Sequence, residues 1–382
     1  MASARSLRIV LLGVVASCGA RSQLEAPGPS SDAASPRDAG DFADAAPAPS
    51  ESGADAQPQP TCTGGVVVDS ATNPSFLALD TTDLYFIDEG DPSVAADSSI
   101  GRCPKATGCA GASTETVVGG MNSPVGFAID DTHLYWTELS SGAAFSCDKQ
   151  SCQPLRLFTD GNDEPITVLA DGALLDLLSY HAVETCPTGG CAAPQKLTSL
   201  TYGALVLAAD ASWIYYTEAS PQGAPRGAVF ACAKPACAGG PKAIATSLPA
   251  APWGIAVDDA SVFISIGGAA ADPDGAGAIL RCPKSGCNGA PEMLVAGRNH
   301  PTYLTADAER VYWIEDGSEA KGYADGAVAA CAKSGCGGAA RSVAERQYLP
   351  SAIAIDAGCV YWSTTGNTTS HGTIQRAPTA GL

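Results

Sequence analysis

Histidine, methionine and charge are all scarce in this chain of 382 residues, which has four histidines, three methionines and only 16% charged residues. With His133, His181, His300 and His371 alone, it lacks the paired histidines of a zinc hydrolase, and neither a nucleophile elbow nor a phosphate loop occurs. Basic residues are the scarcer sign, 21 against 40 acidic ones, for a formal net charge of −19. Such a charge repels phosphates and anionic head groups, so nucleic acid is excluded as a natural partner and a cation or basic partner fits better. Acidity also serves simply to keep an exported protein in solution. The N-terminal apolar run, residues 9–15, is too short to cross a bilayer.

What is present begins with that run. Arg5 and Arg8 precede it and Val15-Ala16-Ser17-Cys18 follows it, the order of a secretory signal. The tetrapeptide resembles the lipobox of bacterial lipoproteins, in which the signal is cut before the cysteine and the cysteine is acylated. The resemblance implies a signal peptide over 1–17, a mature N-terminus at Cys18 and a membrane contact made by several acyl chains, which anchor stably. The expected location is the bacterial cell envelope, lipid-anchored. Gly19 stands where the inner-membrane retention signal would place aspartate, which favours the outer membrane. Residues 18–61 are rich in Ala, Pro, Ser and Asp, with Phe42 the one aromatic, and read as a disordered tether.

Residues 62–382 repeat themselves. Asp80, Asp130, Asp171, Asp210, Asp258, Asp307 and Asp356 recur at intervals of about 40 to 50 residues. Six residues before each stands a proline, with Ala204 the exception, and five and six residues after come aromatic pairs such as Tyr85-Phe86 and Tyr312-Trp313. The third unit departs from this with Asp176-Leu177. Apolar runs this short, punctuated by Asp, Gly and Pro, are strands and not helices. Each unit reads as a strand ending at the aspartate, an Asp-led turn, a second strand through the aromatic pair, and then a third and a fourth. Adjacent side chains on a strand face opposite ways, so each aromatic pair is expected to send one ring to each neighbouring unit. The fold class is therefore all-β, a seven-bladed β-propeller of four-stranded blades. The last unit ends before a fourth strand while Gly65-Val-Val-Val-Asp69 precedes the first, so the N-terminal strand is expected to close the last blade.

Twelve of the cysteines form close pairs at the turn between third and fourth strands: Cys103 with Cys109, Cys147 with Cys152, Cys186 with Cys191, Cys232 with Cys237, Cys282 with Cys287 and Cys331 with Cys336. Opposed residues of an antiparallel hairpin stand at disulfide distance, whereas zinc would need four ligands and each turn offers two thiolates. Six hairpin disulfides are expected, which fits an oxidising compartment. Cys62 and Cys359 either lock the closing blade with a seventh or stand free.

Leu134-Tyr135-Trp136-Thr137-Glu138, Val311-Tyr312-Trp313-Ile314-Glu315 and Val360-Tyr361-Trp362-Ser363 resemble the Tyr-Trp-Thr-Asp (YWTD) repeats of lipoprotein-receptor propellers and related NHL-like bacterial domains. The resemblance implies an extracellular propeller. Those receptor domains have six blades, against seven units here.

On this fold the loops after the second and fourth strands share one face, and the loops after the second strand are the long ones: 88–99, 219–227, 267–277, 314–326 and 364–372. Long loops on a rigid scaffold are where binding resides, although this composition is equally that of tolerated drift. Asp88, Glu138, Glu218 and Glu315 stand eight residues after the repeated aspartate. They read either as a partial ring attracting a cation or basic partner, or as residues that end the second strand by hydrogen bonding. Asp272-Pro-Asp-Gly-Ala-Gly277 resembles part of a calcium loop, but Pro283 falls where the closing glutamate belongs, so a Gly-rich turn competes with Ca²⁺. No metal ligand set or catalytic residue is assigned. The expected function is a disulfide-clipped binding module for a protein, peptide or glycan. The alternative is an enzyme of the streptogramin lyase or lactonase type with an axial metal-dependent site, for which His300 would be the base.

Overall fold

The computed structural model describes residues 12–13, 62–91, 93–159, 164–219, 226–267, 274–356, 358–366 and 371–382. Cys18, the tether over 18–61 and all but two residues of the 1–17 segment lie outside them. Seven four-stranded antiparallel sheets follow one another round a ring. Their innermost strands are Pro74–Leu79, Pro124–Ile129, Pro165–Asp171, Gly203–Ala209, Pro252–Val257, Pro301–Ala306 and Pro350–Ile355. Proline opens six of them because the first position of a strand is where its missing N–H costs no ladder bond. Leu12–Gly13 adds a short parallel pair to Val206 and Leu207 on the innermost strand of blade 4.

The repeated aspartates make the turn into the second strand. Asp80 Oδ1 accepts the backbone N–H of Thr82 at 2.9 Å and of Asp83 at 2.8 Å, and Asp210, Asp258 and Asp307 repeat the pair of bonds. This is the local side-chain cap that makes Asp a turn residue. The aromatic pairs then divide between blades as expected from strand alternation. Tyr85 packs with Phe127 and Trp136 of blade 2, and Phe86 with Val67, Ala352 and Tyr361 of blade 7.

Gly65–Ala71 is the outermost strand of blade 7, paired antiparallel with Gly372–Pro378. A disulfide between Cys62 and Cys359 closes the same blade. The six short-range pairs are likewise disulfides: Cys103 to Cys109, Cys147 to Cys152, Cys186 to Cys191, Cys232 to Cys237, Cys282 to Cys287 and Cys331 to Cys336, with Cα separations from 4.7 to 5.9 Å.

Their geometry corrects the expectation that each bond joins opposed residues of two strands. The first cysteine lies on the third strand, but the second lies in the turn and short of the fourth. Cys152 precedes the strand Leu155–Thr159, and Cys237 precedes Lys242–Leu248. Chain reversal within five or six residues already brings the Cα atoms to disulfide distance, so no ladder pairing is needed.

Four of the second cysteines follow a glycine, and three of these turns reach beyond their own blade. The backbone N–H of Cys109 donates to Val67 O at 2.7 Å, that of Cys287 to Ile244 O at 2.9 Å and that of Cys191 to Leu157 O at 3.2 Å, each an oxygen on the outer strand of the preceding blade. Glycine permits the approach. Gly286 has φ +100 and a Cβ there would stand 3.0 Å from Ala243 O, and Gly190 has φ +98 with Leu157 O as close. Blades 2 and 4 carry Ser151 and Ala236 in that place, and their turns close on themselves. Cys237 N donates to Ala233 O at 2.7 Å, and the turn before Cys152 is held by Asp148 Oδ1, which accepts from Gln150 N at 2.8 Å and Ser151 N at 3.0 Å.

Candidate functional site

The two faces of the ring are built differently. On the face of the Asp turns and clipped turns, five lysines reach back to a carboxylate of the preceding blade. Lys149 meets Asp80 at 2.9 Å, Lys284 meets Asp210 at 2.7 Å, Lys333 meets Asp258 at 2.7 Å, and Lys105 meets Asp356 at 3.0 Å across the closure. Three of these ammonium groups also lie over the ring that follows the aspartate: Lys149 over Tyr85, Lys284 over Tyr215 and Lys333 over Phe263. Lys149 and the turn N–H groups hold the Asp80 carboxyl at about 2 despite the opposing effect of burial. Blades 3 and 7 carry Thr188 and Thr379 at the lysine position.

Blade 3 explains its own irregular sequence. Asp176 occupies the place of the first aromatic, and Lys234 of blade 4, the fifth lysine, lies between Asp171 at 2.5 Å and Asp176 at 2.8 Å. The cation that elsewhere covers a ring here completes an ion triad whose inner members are buried. Burial pushes the Asp176 carboxyl up, and the ammonium of Lys234 only partly offsets this.

On the other face three of the four acids after the second strands, Asp88, Glu218 and Glu315, turn into the crossovers that enter their own blades, and Glu138 meets a residue of its own strand. Asp88 accepts from the N–H of Thr72 at 2.9 Å and of Asn73 at 2.8 Å, and Glu218 from Thr201 at 3.4 Å and Tyr202 at 3.3 Å. Glu315 takes Trp313 Nε1 at 3.0 Å, Arg298 Nε at 2.6 Å and Asn299 N at 3.3 Å, and Glu138 takes Trp136 Nε1 at 3.4 Å. They are parted from one another by this work, and among the described residues no three His, Cys, Asp or Glu side chains gather as a metal site. Within the long loops, residues 92, 220–225, 268–273 and 367–370 lie outside the described residues, and with them Asp272 and Pro273 of the calcium-like segment. The loop of blade 6 is described and folds on itself, with Ser318 N donating to Asp325 Oδ1 at 2.8 Å and Lys321 paired to Asp325 at 3.2 Å.

The axial end of this face carries chemistry that the repeat pattern hid. Every innermost strand has a β-bulge close to its start, as at Ser75/Leu77 and Thr302/Leu304, and these bulges re-aim the residues around the mouth of the ring. His300 is buried, with φ +46, just before the bulged strand of blade 6. Its carbonyl accepts from Asp316 N at 3.4 Å. Asp316 Oδ1 accepts from the Thr302 hydroxyl at 2.9 Å, and burial pushes its carboxyl up to about 7, with Thr302 and His300 working the other way. Two blades further round, Asn73 Nδ2 donates to Glu89 Oε2 at 3.2 Å. Tyr303 is within electrostatic reach of both acids, and its phenol is pushed well up by burial and then by the charges of Asp316 and Glu89. Four polar atoms here are buried without a hydrogen-bond partner: Asn73 Oδ1, Ser75 Oγ, Thr365 Oγ1 and Trp253 Nε1.

No family model matches the chain, and no curated protein sequence does. Solved structures match in fold. Virginiamycin B lyase from Staphylococcus aureus superposes with a TM-score of 0.59 at 11% identity over 82% of this chain and 98% of its own. Hydrazine synthase of Kuenenia stuttgartiensis gives 0.57 at 13% over 82% and 97%. A puromycin-hydrolysing peptidase of Mycobacterium tuberculosis gives 0.58 at 12% over 82% of this chain and 52% of its own. At such identities the likeness is one of fold.

Proposed function

We propose that this disulfide-rich propeller is a binding module held at the bacterial cell envelope, on the outer membrane, by acyl chains on Cys18, and that its ligand meets the axial end of the crossover face. One observation carries the reading. The turn face is consumed by a repeated internal latch, while the axial end of the opposite face leaves Asn73 Oδ1, Ser75 Oγ, Thr365 Oγ1 and Trp253 Nε1 buried and unmet. Buried polar atoms are nearly always bonded in folded proteins, and four of the seven unmet side-chain atoms among the described residues fall at the start of innermost strands or the end of a second strand on this face, which supports a partner that supplies bonds there. A second reading, a lyase- or lactonase-type enzyme with an axial metal, draws support from Asp316, whose carboxyl stands near neutrality beside His300, as a general acid or base would.

One experiment tests anchor and module together. Cys18→Ser should move the protein from the membrane fraction to the soluble one. That soluble protein should then retain envelope material on an affinity column, and Trp253→Ala should abolish retention while Lys321→Ala, on the self-closed loop of blade 6, does not. Membrane association of the Cys18→Ser chain would remove the anchor from this reading, and retention indifferent to Trp253 would remove the site.

A further inference from the structure

Six blades carry a turn clipped by cystine after the third strand, and the third strand of blade 7, Gly372–Pro378, runs into a turn of the same build. Ala377-Pro378-Thr379-Ala380-Gly381-Leu382 stands place for place with Cys282-Pro283-Lys284-Ser285-Gly286-Cys287. The ladder register agrees: Val360 faces Ala377 and Cys359 faces Pro378, as Val262 faces Cys282 and Ser261 faces Pro283. Thr379 N donates to Gly358 O at 2.9 Å, as Lys284 N donates to Ala260 O at 2.9 Å. Gly381 has φ +91 and Gly286 φ +100, so both turns need glycine at the same point. What differs is the chemistry: Ala377 and Leu382 stand where the two cysteines stand, and Thr379 where the lysine stands.

Other side chains do the holding. Leu382, half-buried, packs against an apolar cluster that includes Tyr312, Val328 and Ala330 of blade 6. Two arginines of blade 6 donate to the backbone of the turn, Arg310 Nη2 to Leu382 O and Arg341 Nη1 to Gly381 O at 3.0 Å. The sense of the grip is thus reversed. In blades 1, 2, 4, 5 and 6 the turn sends a lysine to a carboxylate of the preceding blade, whereas here the preceding blade sends cations to carbonyls of the turn. Asp307, the carboxylate that such a lysine would meet, takes the Tyr312 hydroxyl at 2.7 Å instead. A groove of about 410 Å³ lies beside the turn, lined by Leu382, both arginines, and Gly335 and Cys336 of the blade 6 clip. Leu382 borders open space there, so its departure unpacks no closed core.

We propose that residues 377–382 are a seventh clip of the ring, non-covalent where the other six are covalent, and that the seam between blades 6 and 7 is where the turn face opens reversibly. A disulfide yields only to reduction. A half-buried leucine and two hydrogen bonds to carbonyls each shift the closed-to-open ratio by a factor of about ten at most. Blade 3 also lacks the lysine but keeps its disulfide, so among the described residues the turn of blade 7 is alone in having neither. The seam on the other side of blade 7 is held more firmly. Lys105 pairs with Asp356 across it, and Cys109 N donates to Val67 O on a strand that the Cys62–Cys359 disulfide ties down.

Ala377→Cys combined with Leu382→Cys tests the build of the turn. Mass analysis of the non-reduced protein should find one disulfide more than in the wild type, because the backbone at these positions matches that of the six existing clips. Two free thiols would overturn the seventh clip. Hydrogen exchange, read on peptic fragments of the full chain, tests the opening. In the wild type the fragment holding residues 379–382 should exchange at least about tenfold faster than that holding 284–287, and at least about tenfold slower than a free peptide of its own sequence. The added disulfide should slow it by about tenfold, and Arg310→Ala combined with Arg341→Ala should bring it close to the free-peptide rate. Arg341 is exposed, so its single variant, with a smaller change in the same direction, keeps the test open if the pair does not fold. Exchange at the free-peptide rate in the wild type would mean a loose end and no clip. Exchange as slow as in 284–287 would mean a seam that does not open, and indifference to both arginines would remove them from the grip.

Discussion

Deleting residues 62–70 is expected to lower the thermal unfolding midpoint by about 10 to 15 °C and to bring on aggregation at once. The deletion removes most of Gly65–Ala71, whose Val67 and Val68 are fully buried at the closure. Each loses about 2 kcal/mol of apolar burial. It removes the Cys62–Cys359 disulfide, which spans 297 residues and in the loop-entropy account contributes about 6 kcal/mol, against about 2 for a hairpin clip. It also strips Cys109 N of its acceptor at Val67 O and Gly111 N of Asp69 Oδ2 at 2.9 Å, so the first blade keeps only such holds on the last as the Lys105–Asp356 pair and the Ser351 bond to Pro74 O. What remains is an open ring with the Gly372–Pro378 edge exposed. Deleting 19–58 should leave the midpoint where it was. Scanning calorimetry and light scattering on the two deletions decide the matter, and equal midpoints would mean that this strand does not close the ring.

The second large effect is expected at Lys234. Lys234→Met leaves Asp176, 1% exposed, as a buried carboxylate without its ammonium, and should cost about 3 to 5 kcal/mol of unfolding free energy at pH 8. Burial already pushes the Asp176 carboxyl above 3.8, and the substitution removes the main influence that opposes it. An acid whose folded pKa exceeds its unfolded one takes up a proton on folding, so its penalty is full above the folded pKa and shrinks as pH falls toward the unfolded value. The difference in stability between wild type and variant should therefore be largest at pH 8 and diminish by pH 5. Lys234→Met combined with Asp176→Leu should recover most of the loss, since an apolar pair replaces the ions. Urea titrations at the two pH values check this. A deficit below about 1 kcal/mol, or one independent of pH, would show that the triad carries no such strain.

Much of the fold was legible because the features that encode it are local. The Asp-led turn lies within four residues, the opening proline six before it and the aromatic pair five and six after, so one blade declares itself in one stretch. The closing strand was legible by subtraction, since the last unit lacks a fourth strand and a spare one precedes the first. The cysteine spacing named the partners of Cys152 and Cys237 but not their seats, because a bond across five residues looks the same in sequence whether its second end lies on a strand or in a turn. The lysine latch was not legible. Lys149 and Asp80 lie 69 residues apart, and Lys284 and Asp210 lie 74 apart. Nothing in the Cys-Pro-Lys run of one repeat names the aspartate of the repeat before. The departure at Asp176 was visible as an anomaly, yet its meaning waited on finding Lys234 above it. The four acids after the second strands were legible as a set, but many of their partners are backbone N–H groups, which leave no mark on sequence. Asp316 and Glu89, one position further on, escaped notice because each matters only beside a crossover or bulged strand: Asn73 for one, Thr302 for the other.

The latch also has a direction. Each clipped turn, through its own backbone or its lysine, grips the preceding blade of the ring, so from blade 2 to blade 6 a growing chain can seat each clipped blade on a finished neighbour, while blade 1, whose Lys105 grips Asp356, waits for blade 7. The other exception is the outer strand of blade 7, which is the first of the ring to leave the ribosome and has no partner until residues 372–378 exist. Gly65–Ala71 must wait through the synthesis of some 300 residues with its valines uncovered. Early exposure and late placement make this segment the part of the ring that stays open to misplaced pairing longest.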